Sequence, residues 1–281
     1  GCIPSKSLLN LSEKFHKAKN YSNLGIEIGD VKLNLEKMMQ NKDKSVSILT
    51  KGIEFLFKKN KITYFVGKGS FKSENKISIF DDNNVEKIIE AEKIIICTGS
   101  EPLSLPKVEF DEKTIVSSTG ALSLKKVPKK MLVVGGGYIG LEMGSVWSRL
   151  GSEVHVVEFL DHITPGMDNE ISKEFMKILK KQKINFHMQH KVEKINKKNN
   201  LAIVSTTDKD GNNKGYEFTP KLLEDHYVIL KRLPSGEVMT AVSQNIGQAN
   251  KLLTRKVVKA VAYAIKSKDV NAWLCLAEVM K

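Results

Sequence analysis

Cysteine is scarce in this chain: Cys2, Cys97 and Cys275 are the only three among 281 residues. Three scattered cysteines exclude the disulfide framework of a small secreted protein, and their spacing matches no zinc-binding motif. We therefore expect no metal site and an intracellular, reducing compartment. The cytoplasm is the predicted location, with the mitochondrial matrix as the alternative.

Long apolar runs and arginine are also lacking. No run approaches the roughly 20 apolar residues that cross a bilayer, and no signal-peptide pattern precedes Cys2. The formal charge is +13, yet the sequence has only three arginines, Arg149, Arg232 and Arg255, and its lysines are spread along the whole chain. Nucleic-acid sites favour the planar arginine fork. We therefore expect neither a membrane nor a nucleic acid as partner.

Two helices and several short strands are predicted for the first hundred residues. Residues 4–19 carry apolar side chains at helical spacing, and the stretch from Leu35 to Lys59 carries a second apolar stripe. The runs ITYFVGKGSF, KISIF and EKIIICTGS are typical of strands. The last of them should be a buried strand that ends in a tight polar turn.

The sharpest pattern begins at Met131. MLVVGGGYIGLEMGSVWSRLGSEVHVVEF predicts a strand, a glycine turn, a helix and a second strand with an acidic end. In a G-x-G-x-x-G turn the first glycine permits the bend, the second lets the backbone approach a pyrophosphate, and the third lets helix and strand pack closely. The anion then lies on the unpaired N–H groups of the helix N-terminus. The predicted cofactor turn consists of Gly135, Gly136, Gly137, Tyr138, Ile139 and Gly140.

Glu158 indicates which dinucleotide the turn binds. A carboxylate at the end of the second strand accepts hydrogen bonds from the adenosine ribose and repels a 2′-phosphate, so NAD is favoured over NADP. A glycine triad alone is a weak signal, but here the strand, the helix and the acidic strand end fall in register. The alternative is that Glu158 is a solvated strand end.

The last third of the chain is less regular. NEISKEFMKILKKQKINFHMQHKVEKI predicts a helix followed by a strand, whereas TPKLLEDHYVILKRLPSGEV has no regular pattern. TRKVVKAVAYAIKSK predicts an amphipathic helix. Its apolar stripe suits either a protein core, which is the more usual fate, or a partner.

Cys2 stands directly before a predicted helix, with Lys6 one turn further on. Most free cysteines are buried structural residues. A helix N-terminus and a neighbouring cation, however, both favour the reactive thiolate. The residues alone leave both interpretations open.

Four segments in order, from residue 1 to about 214, carry a family resemblance. GCIPSK, IIICTGSEP, IVSSTGALSLKKVPKK and GGGYIGLEMGSVWSRLGSEVHVVEFLDHITPGMD resemble the pyridine nucleotide-disulfide oxidoreductases, and most closely their dihydrolipoamide dehydrogenase branch. The resemblance implies an α/β fold with a Rossmann-like NAD-binding unit. We expect a truncated FAD-domain remnant at 1–118, the NAD unit at 119–214, and a mainly helical tail at 215–281 that resembles nothing.

The resemblance implies catalytic roles for three residues. Cys2 would be the flavin-proximal member of a redox disulfide, whose partner cysteine would fall before Gly1. Lys6 and Glu142 would pair beside the flavin ring. Their alternatives are a solvated lysine and an ordinary helix glutamate.

FAD and NAD are the implied cofactors. Gly69 would contact the FAD adenine, Tyr138 would cover the nicotinamide pocket, and Val192 would be a backbone neighbour of the NAD adenine. The turn implied to close over the FAD dinucleotide consists of Thr98, Gly99 and Ser100.

The implied reaction oxidises a protein-bound dihydrolipoyl group, with electrons passing through the enzyme disulfide and FAD to NAD. The partner would be the lipoyl-bearing subunit of a 2-oxoacid dehydrogenase or glycine cleavage complex, and the complete enzyme a homodimer. The family's first FAD strand, first redox cysteine and dimerisation domain match no part of this sequence, so we expect the chain itself to be an inactive fragment. The alternative is an NAD-binding or partner-binding module without redox turnover.

Overall fold

Two compact units make up the chain. The first consists of Gly1–Val46 together with Glu101–Pro234, and the described part of the second is Ser47–Ser100. The computed structural model describes residues 1–102, 104–105, 108–198, 201–216 and 226–229.

The helices begin and end where local signals indicate. The fifth helix begins after Asp168, whose carboxylate accepts from Glu170 N at 2.8 Å, and the fourth ends at Gly151 with a φ of 116°. The second helix has the bounds that its apolar stripe predicts, and the first begins two residues earlier than predicted. The helices of the described residues are α1 Cys2–Asn20, α2 Leu35–Lys59, α3 Ser118–Ala121, α4 Tyr138–Leu150 and α5 Asn169–Lys181, with a short 3-10 helix at Tyr21–Leu24.

The strands of the described residues form three sheets. In chain order they are β1 Lys68–Ser73, β2 Lys76–Phe80, β3 Glu86–Glu90, β4 Ile115–Val116, β5 Lys130–Val134, β6 Glu153–Glu158, β7 Asn185–Met188, β8 His190–Lys198, β9 Leu201–Asp208, β10 Asn213–Tyr216 and β11 His226–Ile229.

A five-stranded parallel sheet organises the first unit, in the order β4-β11-β5-β6-β7. One face packs against α1, α4 and α5. Val133 of β5 and Val156 of β6 are fully buried there, together with Leu8 of α1 and Trp147 of α4. The Trp147 indole N–H also donates to Ala121 O at 3.1 Å, so the single donor of this large buried side chain has a partner.

The opposite face of this sheet is covered by a second, antiparallel sheet in the order β10-β9-β8. Val134 and Val157 are buried against Val204 of β9. Alternate residues of β5 and β6 therefore enter two different cores. This accounts for the continuous apolar run of β5, which is typical of a parallel sheet covered on both sides.

The second unit contains the antiparallel sheet β1-β2-β3. Ile77 and Ile79 of β2 are each 4% exposed, as is Phe57 of α2. Other members of the apolar stripe of α2 are not covered: Ile48 and Leu49 are 60% and 51% exposed. Helical spacing predicted the helix correctly, but it does not show which apolar residues are buried.

The predicted strand EKIIICTGS does not form. Among the described residues only Ile94 makes a single bridge, Ile95 is 40% exposed, and Cys97 is half-buried. The preceding, similar stretch Glu86–Glu90 forms β3 instead, because β2 provides it with an antiparallel ladder. Within ITYFVGKGSF, likewise, only the end lies in a strand, β1.

Two further predictions need correction. The strand predicted after α5 is divided at Gln189, which has a φ of 59°, into β7 of the parallel sheet and β8 of the antiparallel one. His226–Ile229, in a stretch predicted to be irregular, forms β11 and lies between β4 and β5. The amphipathic helix predicted further along the tail lies outside the described residues.

Candidate dinucleotide and redox site

The glycine turn directly follows β5 and leads into α4. Gly135 has a φ of 105°, which glycine adopts without steric cost. Its N–H donates to Val157 O at 2.7 Å, which ties the start of the turn to β6. The turn lies at the carboxyl end of the parallel strands, the edge at which open α/β sheets bind ligands.

Gly140 and Gly137 of the motif serve different purposes. A Cβ atom at Gly140 would lie 2.8 Å from Gly135 O and 2.8 Å from Val133 Cγ1, so glycine allows α4 to pack closely on the sheet. A Cβ atom at Gly137 would meet no atom within 4 Å. Gly137 is also the N-cap of α4, and no side chain caps the helix. The fold thus leaves open space and uncapped amides where the motif places a pyrophosphate.

Glu158 is the last residue of β6, and it is 1% exposed. Its Oε2 atom accepts from Gly136 N at 2.7 Å, and its Oε1 atom accepts from Leu160 N at 3.0 Å. Both carboxylate oxygens are therefore held by main-chain amides. The alternative of a solvated strand end is wrong, because the carboxylate is buried and held by main-chain amides.

The loop after β6 is tied to the glycine turn as well. Thr164 N donates to Gly136 O at 2.8 Å, and the Thr164 hydroxyl lies 2.8 Å from that of Ser172 in α5. Thr164 has a φ of 51°, which β-branched residues rarely adopt, and it is 2% exposed. Such a conformation persists only where the surrounding contacts impose it. Both loops that border the candidate site are therefore fixed.

Glu142 of α4 joins the dinucleotide helix to the opening hexapeptide. Its Oε1 atom accepts from Lys6 Nζ, and its Oε2 atom accepts from Ser5 Oγ. Further along the same helices, Arg149 Nη1 donates to Leu9 O at 3.3 Å. The structure thus brings Lys6 and Glu142, two of the three predicted catalytic residues, into direct contact.

Cys2 and Tyr138 are the first residues of the two helices that meet at this contact. Cys2 is exposed, and Tyr138 is 64% exposed. Ile139, the next residue of the glycine motif, is half-buried. An exposed thiol and an exposed ring at two helix N-termini are both accessible to a ligand.

Val192 lies in β8 opposite Thr206 of β9. Its half-buried side chain packs against the core cluster that includes Val157, the neighbour of Glu158. The predicted contact between its backbone and a NAD adenine stays a prediction.

The residues predicted to hold the FAD dinucleotide belong to the second unit. Gly69 lies in β1 opposite Ile79 of β2. The predicted FAD turn has no regular structure: Thr98 is half-buried, Gly99 has a φ of 71°, and Ser100 is exposed. Their roles at FAD also stay predictions.

A row of polar side chains crosses β5, β6 and β7. Lys130 Nζ lies 3.1 Å from Glu153 Oε2, and His155 Nε2 lies 2.8 Å from Glu153 Oε1. His155 Nδ1 lies 2.9 Å from His187 Nε2. The hydrogen bond from His155 lowers the pKa of the Glu153 carboxyl below its usual value, with a further contribution from Lys130, while partial burial opposes the shift.

Sequence reasoning missed Ser5 and Thr164. Each acts through a residue distant in sequence, Ser5 on Glu142 and Thr164 on Gly136. Neither contact has a local signal, because each depends on how two elements pack together. For Ser5 the one available clue was its place inside the hexapeptide that carries the resemblance.

The described part of the chain lacks two features. It contains no group of three or more histidine, cysteine or acidic side chains arranged to hold a metal ion. None of its helices combines the length and apolarity that crossing a membrane requires.

The glycine turn, the buried carboxylate of Glu158 and the parallel sheet together define a Rossmann-like dinucleotide-binding protein. The predicted α/β fold is confirmed. The chain belongs to the pyridine nucleotide-disulphide oxidoreductase family, whose model matches residues 1–222. The predicted family is therefore confirmed as well.

Curated relatives bear the names of the predicted branch. Dihydrolipoamide dehydrogenase of Chaetomium thermophilum is 59% identical over 194 residues, which cover 68% of this chain and 38% of that protein. The mitochondrial dihydrolipoyl dehydrogenase 1 of Arabidopsis thaliana is 54% identical over 193 residues, with the same shares covered. The mitochondrial dihydrolipoyl dehydrogenase of Dictyostelium discoideum is 51% identical over 212 residues, 75% of this chain and 43% of that protein. The chain thus spans about two fifths of the length of these relatives.

Solved structures share the fold. The HOCl-induced flavoprotein disulfide reductase of Escherichia coli superposes with a TM-score of 0.58 at 23% identity, over 82% of this chain and 46% of that one.

Proposed function

We propose that this chain provides the NAD-binding unit and the redox helix of a dihydrolipoyl dehydrogenase. The observation that carries the proposal is the contact of Glu142 with Lys6 and Ser5. It joins the helix that begins at the dinucleotide turn to the helix that begins at Cys2. Identities of 51–59% to proteins of that name support the same activity.

NAD fits the residues of the first unit. Gly137 leaves space beside the first turn of α4, whose N–H groups would bind the pyrophosphate. Glu158 would accept hydrogen bonds from the adenosine ribose and exclude a 2′-phosphate from its buried carboxylate. Tyr138, exposed at the start of α4, would cover the nicotinamide.

The redox part depends on Cys2, Lys6 and Glu142. Bound FAD and NAD would supply the electron and hydride transfer. Cys2 presents an exposed thiol at the N-terminus of α1. Lys6, held by Glu142, places a cation one helical turn from that thiol.

The residues that the resemblance assigns to FAD occur in each unit. The first contributes the redox helix, and the second contributes Gly69 and the turn at Thr98, Gly99 and Ser100.

Partner and location are proposed from the relatives. A dihydrolipoyl substrate attached to a protein implies a lipoyl-bearing subunit of a 2-oxoacid dehydrogenase or glycine cleavage complex as the partner, with a homodimeric complete enzyme. The names of the Arabidopsis thaliana and Dictyostelium discoideum relatives include the word mitochondrial, which supports the matrix rather than the cytoplasm.

A second candidate function is an NAD-binding module without redox turnover. One observation favours it: the whole NAD turn and its carboxylate lie within the first unit, whereas the predicted FAD contacts are divided between the two.

Three measurements on the purified chain distinguish these functions. Calorimetric titration with NAD and NADP tests the dinucleotide site, visible absorption after addition of FAD tests flavin binding, and oxidation of dihydrolipoamide tests turnover. We expect NAD to bind more tightly than NADP. Bound FAD would support the dehydrogenase assignment and contradict the module, NAD binding without FAD would do the reverse, and absence of NAD binding would contradict both.

A further inference from the structure

Ser5 is a buried serine that contacts the Lys6–Glu142 pair, and the proposed redox chemistry assigns it no role. Its residue is 5% exposed, and its hydroxyl donates to Glu142 Oε2. The neighbouring side chains are more open: that of Lys6 is 65% exposed and that of Glu142 25% exposed. The most buried member of this trio is therefore the one without charge.

An exposed lysine–glutamate pair is not held in one geometry by its own attraction. Lysine has a long flexible stem and a strongly hydrated ammonium group, and water competes for both partners. A serine hydroxyl has a single short rotor. When it is buried and donates to a carboxylate, it makes a charge-assisted hydrogen bond with little freedom to lose.

We propose that Ser5 is a positioning residue, which fixes the plane of the Glu142 carboxylate and thereby directs its second oxygen to Lys6. Residues 2 and 6 are four apart in α1, so Lys6 shares a helix face with Cys2. The relevance of this to redox chemistry rests on the proposed function. The coupling of Ser5 to Lys6 through Glu142 is a property of the chain itself.

The test is the reactivity of the Lys6 amine, measured by acetylation of the folded chain and mass spectrometry of the peptide that contains it. Ser5→Ala should raise the acetylation rate of Lys6 about 1.4- to 5-fold, the range that corresponds to losing an exposed ion pair of roughly 0.2–1 kcal/mol. Lys14, exposed on the same helix, is the internal reference and should not change.

Ser12→Ala is the matched control. Ser12 is also buried in α1, at 0% exposed, but its hydroxyl donates to Leu9 O at 3.1 Å and not to Glu142. It should leave the reactivity of Lys6 unchanged. An equal rise in Ser12→Ala would show that a loosened helix is the cause and would overturn the proposal.

Two further variants complete the test. Ser5→Cys keeps nearly the same volume but offers only a weak donor, so it should raise Lys6 reactivity even if Ser5→Ala fails to fold. In a Glu142→Gln background, Ser5→Ala should have no additional effect on Lys6, because the route between them is removed. A further rise in that background, or unchanged reactivity in Ser5→Cys, contradicts the proposal. The acetylation measurements use neither FAD nor NAD, so a failure of the proposed function would be detected separately, in the cofactor titrations.

Discussion

The Oε2 atom of Glu158 lies 2.7 Å from the backbone nitrogen of Gly136. The residue expected to recognise the ribose of NAD therefore also holds the glycine turn that would bind the pyrophosphate. One buried carboxylate thus links the two parts of the candidate dinucleotide site. We therefore expect changes at Glu158 to affect both the fold and the binding of NAD.

Replacing Glu158 with alanine should lower NAD affinity and stability together. NAD binding should weaken by about 10- to 100-fold, because the ribose loses hydrogen bonds to a charged acceptor. The unfolding free energy should fall by about 1–3 kcal/mol, because the buried Gly136 N–H loses its partner. Calorimetry with NAD and urea unfolding measure the two effects. Glu174→Ala, at an exposed carboxylate of α5, is the control and should change neither quantity. Unchanged NAD affinity in Glu158→Ala would refute the ribose assignment.

Alanine at Gly140 and at Gly137 should give opposite results. At Gly140 the added methyl group would collide with Gly135 O and Val133, so the unfolding free energy should fall by about 1–3 kcal/mol. At Gly137 the methyl group would occupy open space, so stability should change by less than about 1 kcal/mol. NAD affinity should fall tenfold or more in Gly137→Ala, a loss of about 1.4 kcal/mol, because the methyl group would stand where the pyrophosphate approaches. Equal affinity of Gly137→Ala and the parent chain would show that the phosphates bind elsewhere.

Cys2 should react with a thiol reagent faster than Cys97 in the folded chain. Cys2 is exposed at a helix N-terminus, whereas Cys97 is half-buried. Timed alkylation followed by peptide mass spectrometry measures each rate, and denatured chain gives the unprotected rates for comparison. Cys2→Ser should abolish the modification assigned to Cys2 and leave that of Cys97 unchanged. Faster modification of Cys97 in the folded chain would contradict the exposure described.

Stability should depend on Glu153 in a defined pH range. Because folding lowers the pKa of this carboxyl from its usual 4.5, its contribution is present above pH 4.5 and is lost as the pH falls through the lowered pKa. Glu153→Gln should therefore reduce the unfolding free energy at pH 7, by less than about 1 kcal/mol because the side chain is 46% exposed. The difference from the parent chain should shrink as the solution is acidified below pH 4.5. A difference that grows on acidification would reverse the assigned sign.

Apolar periodicity predicted the helices and strands whose formation depends on residues close together in the sequence. The bounds of α2, the course of β5, α4 and β6, and the glycine turn between them follow from apolar spacing and glycine position. The roles of Gly135 and Gly140 could also be predicted, because a tight turn and a close helix–strand contact each require a glycine at a fixed position of the motif.

The sheet partners could not be predicted from periodicity. The apolar run at Ile94–Ile96 reads as a buried strand, but a strand requires a ladder partner, and Glu86–Glu90 obtains one from β2 instead. His226–Ile229 lies in a stretch without a regular pattern, yet it forms a ladder with β5. In the site, likewise, the Ser5–Glu142 bond depends on the packing of α1 on α4 and not on either local sequence.

The position of β11 between β4 and β5 governs the order in which the sheet can be completed during synthesis. While the ribosome is still making the antiparallel hairpins, β5, β6 and β7 can already associate, but Ile115 and Val116 must wait for Val228 and Ile229, which are more than a hundred residues downstream. In the nascent chain β4 and β5 therefore stay unjoined until Ile229 has emerged from the ribosome, and a chain that ends before β11 lacks the strand that links them.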